Sequence, residues 1–129
     1  MTDFAWLKST VAEVNNSTSY RDFGPANILV GFRSETNCRI VEFKSVWVSS
    51  NDDAEVTDIL DKVDVLISMS TKQWKFYLRR RVSGKSPSIL VFNLRNNVLE
   101  FASPMNYLKF LRFHRSVQAF LDIGCRLYK

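Results

Sequence analysis

The stretch VDVLISMSTKQWKFYL, residues 63–78, changes its hydrophobic period at its centre and thereby decides the fold class. From Val65 to Met69 apolar residues occupy every second position, which is typical of a strand with one buried face. Ser70, followed three residues later by Gln73, matches a capping box, a signal that marks the start of a helix. We therefore predict a strand that leads directly into a helix, as expected in a domain that mixes both elements.

The helix predicted at 71–82 has two chemically different faces. Projected at about 100° per residue, Trp74, Tyr77 and Leu78 share one arc. The opposite arc is basic and continues into the run Arg79–Arg81. A solvated helix face is the preferred interpretation of this run, and an anion site for nucleic acid or acidic lipid is the alternative. Because aromatic rings are scarce among these charges, we expect no specific nucleic-acid binding.

The remaining segments predict further strands and helices. A helical period runs from residue 3 to residue 15, and the segment 86–97 is ambiguous between a short helix and a strand. The closing helix is predicted to begin at Ser103–Pro104 and to end before Gly124. Strands are expected at 27–33, at 38–48 as one long strand or two short ones, at 63–69 and at 98–102.

The composition fits a single domain that spans residues 1–129. The chain is 46% hydrophobic and 13% aromatic, with ten phenylalanines, so ring surface is available for a core or a cavity. The sequence contains no run of 18 apolar residues, so no transmembrane segment is predicted. No secretion signal is recognised at the start either, and a cytoplasmic location is therefore expected. The two cysteines have no metal-ligand spacing, and reduced thiols are the preferred interpretation.

The closing helix contains the stretch KFLRFHRSVQAFL, residues 109–121, with His114, the only histidine of the chain. Helical projection places His114 near the middle of a wide apolar arc. This arc indicates either core packing or the wall of a pocket for an apolar ligand. The other residues on it are Tyr107, Phe110, Leu111, Phe113, Val117, Phe120 and Leu121.

Three stretches together resemble the sterol carrier protein type two domain. They are FGPANILVGFRSETNCRIVEFKS at 23–45, VDVLISMSTKQWKFYL at 63–78 and NNVLEFASPMNYLKFLRFHRSVQAFLD at 96–122. The resemblance implies an α+β fold, with a five-stranded, largely antiparallel sheet covered on one side by helices. It also implies a hydrophobic cavity between sheet and helices that takes a lipid, a sterol or another apolar metabolite.

Two functions from different classes follow as hypotheses. The first is binding of an apolar small molecule between the sheet and the helices at 71–82 and 104–123. The second is a cofactor-independent isomerase, cyclase or dehydratase that uses the same cavity, with His114 and Asp64 as acid/base groups. Asp64 and Glu100 are the predicted carboxylate partners of His114. The predicted ligand-binding residues are Trp74, Tyr77, Phe110, Phe113, Val117 and Phe120.

No cofactor and no metal are expected, because the sequence has no phosphate-binding glycine pattern, no HExxH motif and a single histidine. A third hypothesis, a purely structural subunit whose aromatic face is buried against a partner chain, is left open by the sequence, and so is a homodimer.

Overall fold

A computed structural model describes residues 4–51 and 59–128. Eleven elements of regular structure are found in these ranges. The helices are α1 (Ala5–Asn15), α2 (Thr18–Arg21), α3 (Ile59–Lys62), α4 (Thr71–Val82), α5 (Ile89–Asn96) and α6 (Pro104–Leu127). The strands are β1 (Ala26–Arg33), β2 (Cys38–Ser45), β3 (Trp47–Asn51), β4 (Val65–Ser68) and β5 (Leu99–Glu100).

The five strands form one sheet in the order β3-β2-β1-β4-β5. Three of the four neighbouring pairs are antiparallel, and the central pair of β1 and β4 is parallel. The predicted α+β architecture, with a five-stranded and largely antiparallel sheet, is therefore confirmed.

The two faces of the sheet are packed differently. One face carries Val30, Phe32 and Ile67 and forms the main core with α1, α4, α5 and α6. The opposite face carries a smaller apolar cluster, in which Leu66 packs with Ile59 of α3. The long helices therefore lie on one side of the sheet, as predicted, and the single turn of α3 covers part of the other side. Within 4–51 and 59–128, no helix combines the length and apolar character needed to cross a bilayer.

Local capping signals fix the bounds of two of these helices. Ser70 and Gln73 exchange both bonds of the predicted capping box, and α4 occupies the expected residues. The ambiguous segment 86–97 contains the helix α5. The Ser88 side chain accepts a hydrogen bond from the backbone N–H of Val91 at the start of this helix, and Asn97 ends it with a φ of 51°. The segment 38–48 forms two strands, β2 and β3, rather than one.

The prediction that Gly124 ends the closing helix is wrong, since α6 continues through it to Leu127. Gly124 has no side chain because α1 leaves no space for one. A Cβ atom placed there would lie 2.6 Å from Cζ3 of Trp6, which is closer than real carbon contacts allow. This glycine therefore serves the packing of α6 against α1 and not the termination of a helix.

Candidate functional site

Five of the six predicted ligand-binding residues, Trp74, Tyr77, Phe110, Val117 and Phe120, lie in the packed core between the sheet and the helices. The Trp74 ring lies 5.7 Å from Phe32, and the Phe120 ring lies 6.0 Å from Phe32 and 5.4 Å from Phe43, measured between ring centroids. Trp74, Phe120 and Val117 are almost completely buried. The space between sheet and helices is therefore filled with side chains at this point, where the sequence predicted room for a ligand.

Tyr77 is held by polar contacts as well as by burial. Its hydroxyl donates to the carbonyl oxygen of Pro87 at 3.0 Å and accepts from the Gln118 amide at 3.3 Å. The same amide nitrogen donates to Asp122 Oδ1 at 2.9 Å, and Gln118 Oε1 accepts from the backbone N–H of Ile89 at 2.7 Å. Burial raises the pKa of Tyr77 to about 12. Gln118 thus ties α4, α5 and α6 together, so Tyr77 is fixed rather than free to adapt to a ligand.

An ion pair continues this network to the end of α4. The Arg81 guanidinium donates to both oxygens of Asp122, at 2.8 and 3.2 Å, and to the carbonyl oxygen of Ser86 at 3.1 Å. The hydrogen bonds to Asp122 raise the pKa of Arg81 above its ordinary value. Both partners are partly exposed, so the pair fixes the geometry of the helix contact more than it adds to stability.

The two halves of α6 differ sharply in how they pack. Between residues 104 and 115 only Phe110 is buried, whereas seven residues are buried between 116 and 127. Phe113 and His114 are half-buried, and the Phe110 ring lies 5.7 Å from that of Phe101. The first half of α6 therefore covers the sheet loosely, while the second half belongs to the core.

The structure does not bring His114 to either of its predicted carboxylate partners. Glu100 accepts from Arg33 at 2.7 Å, and Asp64 accepts from Lys109 at 3.0 Å. In the part of the chain that the structure describes, His114 has a ring contact with Phe110, at a centroid distance of 6.4 Å, and no hydrogen bond. Within these residues the imidazole is therefore not oriented by a hydrogen-bond partner.

Asp64 has a structural role that the sequence did not indicate. Its Oδ2 accepts from the backbone N–H of Leu29 at 2.8 Å, and its own N–H donates to the Leu29 carbonyl oxygen at 2.8 Å. Lys109 reaches the same carboxylate oxygen from the first half of α6. Asp64 thus extends the pairing of β1 with β4 and anchors the loosely packed half of α6 to the sheet.

Four surface clefts of the described residues have volumes of about 430, 410, 290 and 220 Å³. They lie near Arg33, near Arg81, between Asp64 and Lys109, and near Lys62 respectively. Of the predicted site residues only Asp64 lines any of them. These clefts are therefore not the apolar pocket that the resemblance implies.

The cysteines and potential metal ligands define no further centre. Cys38 and Cys125 are both free and buried, in the cores on opposite faces of the sheet. Burial raises the pKa of each thiol, which leaves it unreactive. Among residues 4–51 and 59–128, no three His, Cys, Asp or Glu side chains lie close enough to hold a metal ion.

Sequence reasoning missed three residues that organise this region: Lys109, Gln118 and Phe101. The partners of Lys109 and Gln118 are 45 and 41 residues away in sequence, so helical phase alone does not identify them. Only the sheet register brings Asp64 to Lys109. A polar residue beside an apolar arc was the one available signal.

The chain was compared with protein-family models, curated protein sequences and solved structures, and the last of these comparisons supports the fold. No protein-family model matches the chain, and no curated protein sequence does either. The domain has the sterol carrier protein type two fold, an α+β sheet with helices on its main face. Among solved structures, one described as "UbiJ-SCP2 Ubiquinone synthesis protein" is similar over 95% of this chain and 94% of that chain, with a TM-score of 0.53 and 12% sequence identity. The resemblance predicted from the sequence is thus confirmed at the level of the fold.

Proposed function

We propose that this protein binds an apolar small molecule beneath the first half of α6. The observation that carries the proposal is the contrast within this helix, with one buried residue before position 116 and seven after it. In a fold whose sheet and helices can enclose a cavity, a loosely packed cover is where a ligand can enter. The second half of α6 stays in place because Gly124 packs against Trp6 and Gln118 is bonded to Tyr77.

The proposed site is smaller than the set predicted from helical phase. Its walls are Phe101, Phe110 and Phe113, with the His114 ring at one side as a polar group. Trp74, Val117 and Phe120 form the floor, because all three are buried in the core below the first half of α6 and the rings of Trp74 and Phe120 both contact Phe32. The rings of Phe101, Phe110 and Phe113 pack against the core, so binding requires the first half of α6 to lift from the sheet.

The apolar area that a ligand buries sets the affinity that the proposed site can reach. A ligand that buries ~200 Å² of apolar surface gains roughly 5 kcal/mol at ~25 cal/mol/Å², before the costs of association and of lifting the helix. Rupture of the Lys109–Asp64 ion pair adds about 0.2–1 kcal/mol to that cost, since the Lys109 side chain is 42% exposed. A longer chain, such as a fatty acid or a prenylated ring, buries more and compensates for the opening.

Two probes represent the chemical class of the ligand. One is a fluorescent polyunsaturated fatty acid, whose emission rises when it leaves water. The other is a short-chain ubiquinone, chosen because the matched structure is named for ubiquinone synthesis. Competition between them would indicate a shared site.

The test compares substitutions at two phenylalanines on different helices. Phe113→Asp places a carboxylate in the proposed site and should weaken fatty-acid binding at least about tenfold, because an unpaired charge is costly beside an apolar ligand. Phe113→Leu keeps the site apolar and should retain binding. Phe76→Asp, on the exposed face of α4, is the matched control and should bind as the unmodified protein does. Absence of binding in the unmodified protein, or equal losses at both positions, would reject the proposal.

A further inference from the structure

The ends of several strands and the start of α6 lie at one end of the sheet. It is the end at which β1 begins at Ala26, opposite Ser45 at the end of β2, and at which β3 begins with Trp47 opposite Lys44. β5 runs toward the same end, since it is antiparallel to β4, and α6 begins at Pro104, four residues after the end of β5. We call this the basal end.

The large exposed apolar side chains are concentrated at the basal end. In the described part of the chain nine such side chains are exposed, and five of them precede β1, begin β3 or lie in the first turns of α6. The edge strands β3 and β5 are about 19 Å apart at ~4.8 Å per strand, which sets the width of this surface. The five residues are Phe23, Trp47, Met105, Tyr107 and Leu108.

Along the outer face of α6, apolar side chains come first and basic side chains follow with increasing distance from the basal end. Met105, Leu108, Arg112 and Arg115 follow one another at steps of three, four and three residues, so they share one arc of about 80°. All four are exposed. The apolar pair is nearest the basal end and the two arginines lie one to three turns further along. This order suits a bilayer surface, where apolar side chains enter the interface and cations remain at the level of the phosphates.

The charge at the basal end complements an anionic surface. Residues 104–121 contain Lys109, Arg112 and Arg115 and no acidic residue, and the first acid along α6 is Asp122. The Arg21 guanidinium lies 4.8 Å from the centroid of the Trp47 ring, so a cation accompanies the exposed indole.

Acidic residues near this end do not cancel its positive charge. Asp64 is already paired with Lys109, which leaves Glu13, Asp22 and Glu42 against Arg21, Lys44 and the two arginines of α6. An exposed indole, a phenol and a cation cluster are also the side chains favoured where bilayer and water meet.

We infer that the basal end docks on the surface of an anionic lipid bilayer, with Met105, Leu108 and Trp47 in the interface and Arg112 and Arg115 at the headgroups. This inference is independent of the ligand site, because it rests on the outer face of α6 whereas the ligand proposal rests on the inner face. The two would fit together, since the loosely packed half of α6 is the half that would contact the lipid.

The first experiment measures co-sedimentation of the full chain with vesicles. Vesicles of phosphatidylcholine with phosphatidylglycerol should bind the protein, and pure phosphatidylcholine should bind it much less, with the difference lost at high salt. The double variant Met105→Ser/Leu108→Ser should lose about tenfold or more in partitioning. Its matched control is Val91→Ser/Leu94→Ser, which removes an equally exposed apolar pair from α5 and should bind as the unmodified protein does.

A second readout uses the tryptophans, of which Trp47 alone is exposed while Trp6 and Trp74 are buried. Vesicles should shift the emission to shorter wavelength, and Trp47→Phe should abolish that shift. The inference is overturned if vesicles do not bind, if both double variants lose binding equally, or if Trp47 emission does not change. It is also overturned if light scattering shows a dimer that Met105→Ser/Leu108→Ser converts to a monomer, since a second copy would then be the occupant. Retention of fatty-acid binding by this variant keeps the test separate from the ligand proposal.

Discussion

Replacement of Gly124 by alanine tests how α6 meets α1. An alanine in a helix interior normally stabilises by about 0.5–1 kcal/mol relative to glycine. Here the new Cβ would lie 2.6 Å from Cζ3 and 2.9 Å from Cε3 of Trp6, and 3.2 Å from the Thr10 hydroxyl. Overpacking of this kind costs about 1–3 kcal/mol, and the atoms in the way belong to a buried ring rather than to a flexible chain end. We therefore expect Gly124→Ala to destabilise by about 1–2 kcal/mol.

The assay is urea unfolding of four proteins that form a double-mutant cycle. Trp6→Phe removes the ring atoms that the new Cβ would meet, so Gly124→Ala should be neutral or stabilising in that background. The coupling free energy between the two positions should therefore exceed about 1 kcal/mol. Stabilisation by Gly124→Ala in the unmodified protein, or additive effects in the cycle, would show that α6 and α1 do not meet as described.

Three further outcomes are expected. Tyr77→Phe should destabilise by about 1 kcal/mol in urea unfolding because it loses a bond to Pro87, whereas Tyr20→Phe should be neutral, since the Tyr20 hydroxyl has no partner among the described residues. Burial raises the pKa of both tyrosines from 10.0 to about 12, so between these values the native state holds protons that the unfolded state releases. The free energy of unfolding should therefore fall as the pH rises from 10 through 12, and either substitution should reduce the slope of this fall. Lys109→Met should speed hydrogen exchange in the first half of α6 and not in the second; uniform acceleration would contradict the division of the helix.

Local signals in the sequence were enough to predict most elements. The capping box of Ser70 and Gln73 fixes the start of α4, and Ser103–Pro104 fixes the start of α6, because a cap acts within one turn of the chain. The segment 86–97 stayed ambiguous because its β-branched residues favour a strand while its Ser cap favours a helix. The ambiguity is resolved by burial of Phe92 against Tyr77, a tertiary contact.

The site could be predicted less well than the fold, because helical phase gives a direction but not a neighbour. It correctly placed Phe110 and Phe120 on the inner side of α6. It could not show that Phe120 meets Phe43, which fills the expected space. Helical phase also could not show that Asp64 forms an ion pair with Lys109, since that pair depends on how β4 is placed beside β1. The prediction that Gly124 ends the closing helix was wrong for the same reason. The glycine is required by contact with Trp6, which lies more than a hundred residues away in sequence.

Hydrogen exchange of α6 with and without a bound fatty acid tests the central claim most directly. Without ligand, amides at 107–115 should exchange faster than those at 117–125, because the first half of the helix has one buried side chain and the second half has seven. Saturating fatty acid should slow exchange at 107–115 and leave 117–125 unchanged. Binding that leaves the amides at 107–115 unprotected would place the ligand elsewhere and contradict the account.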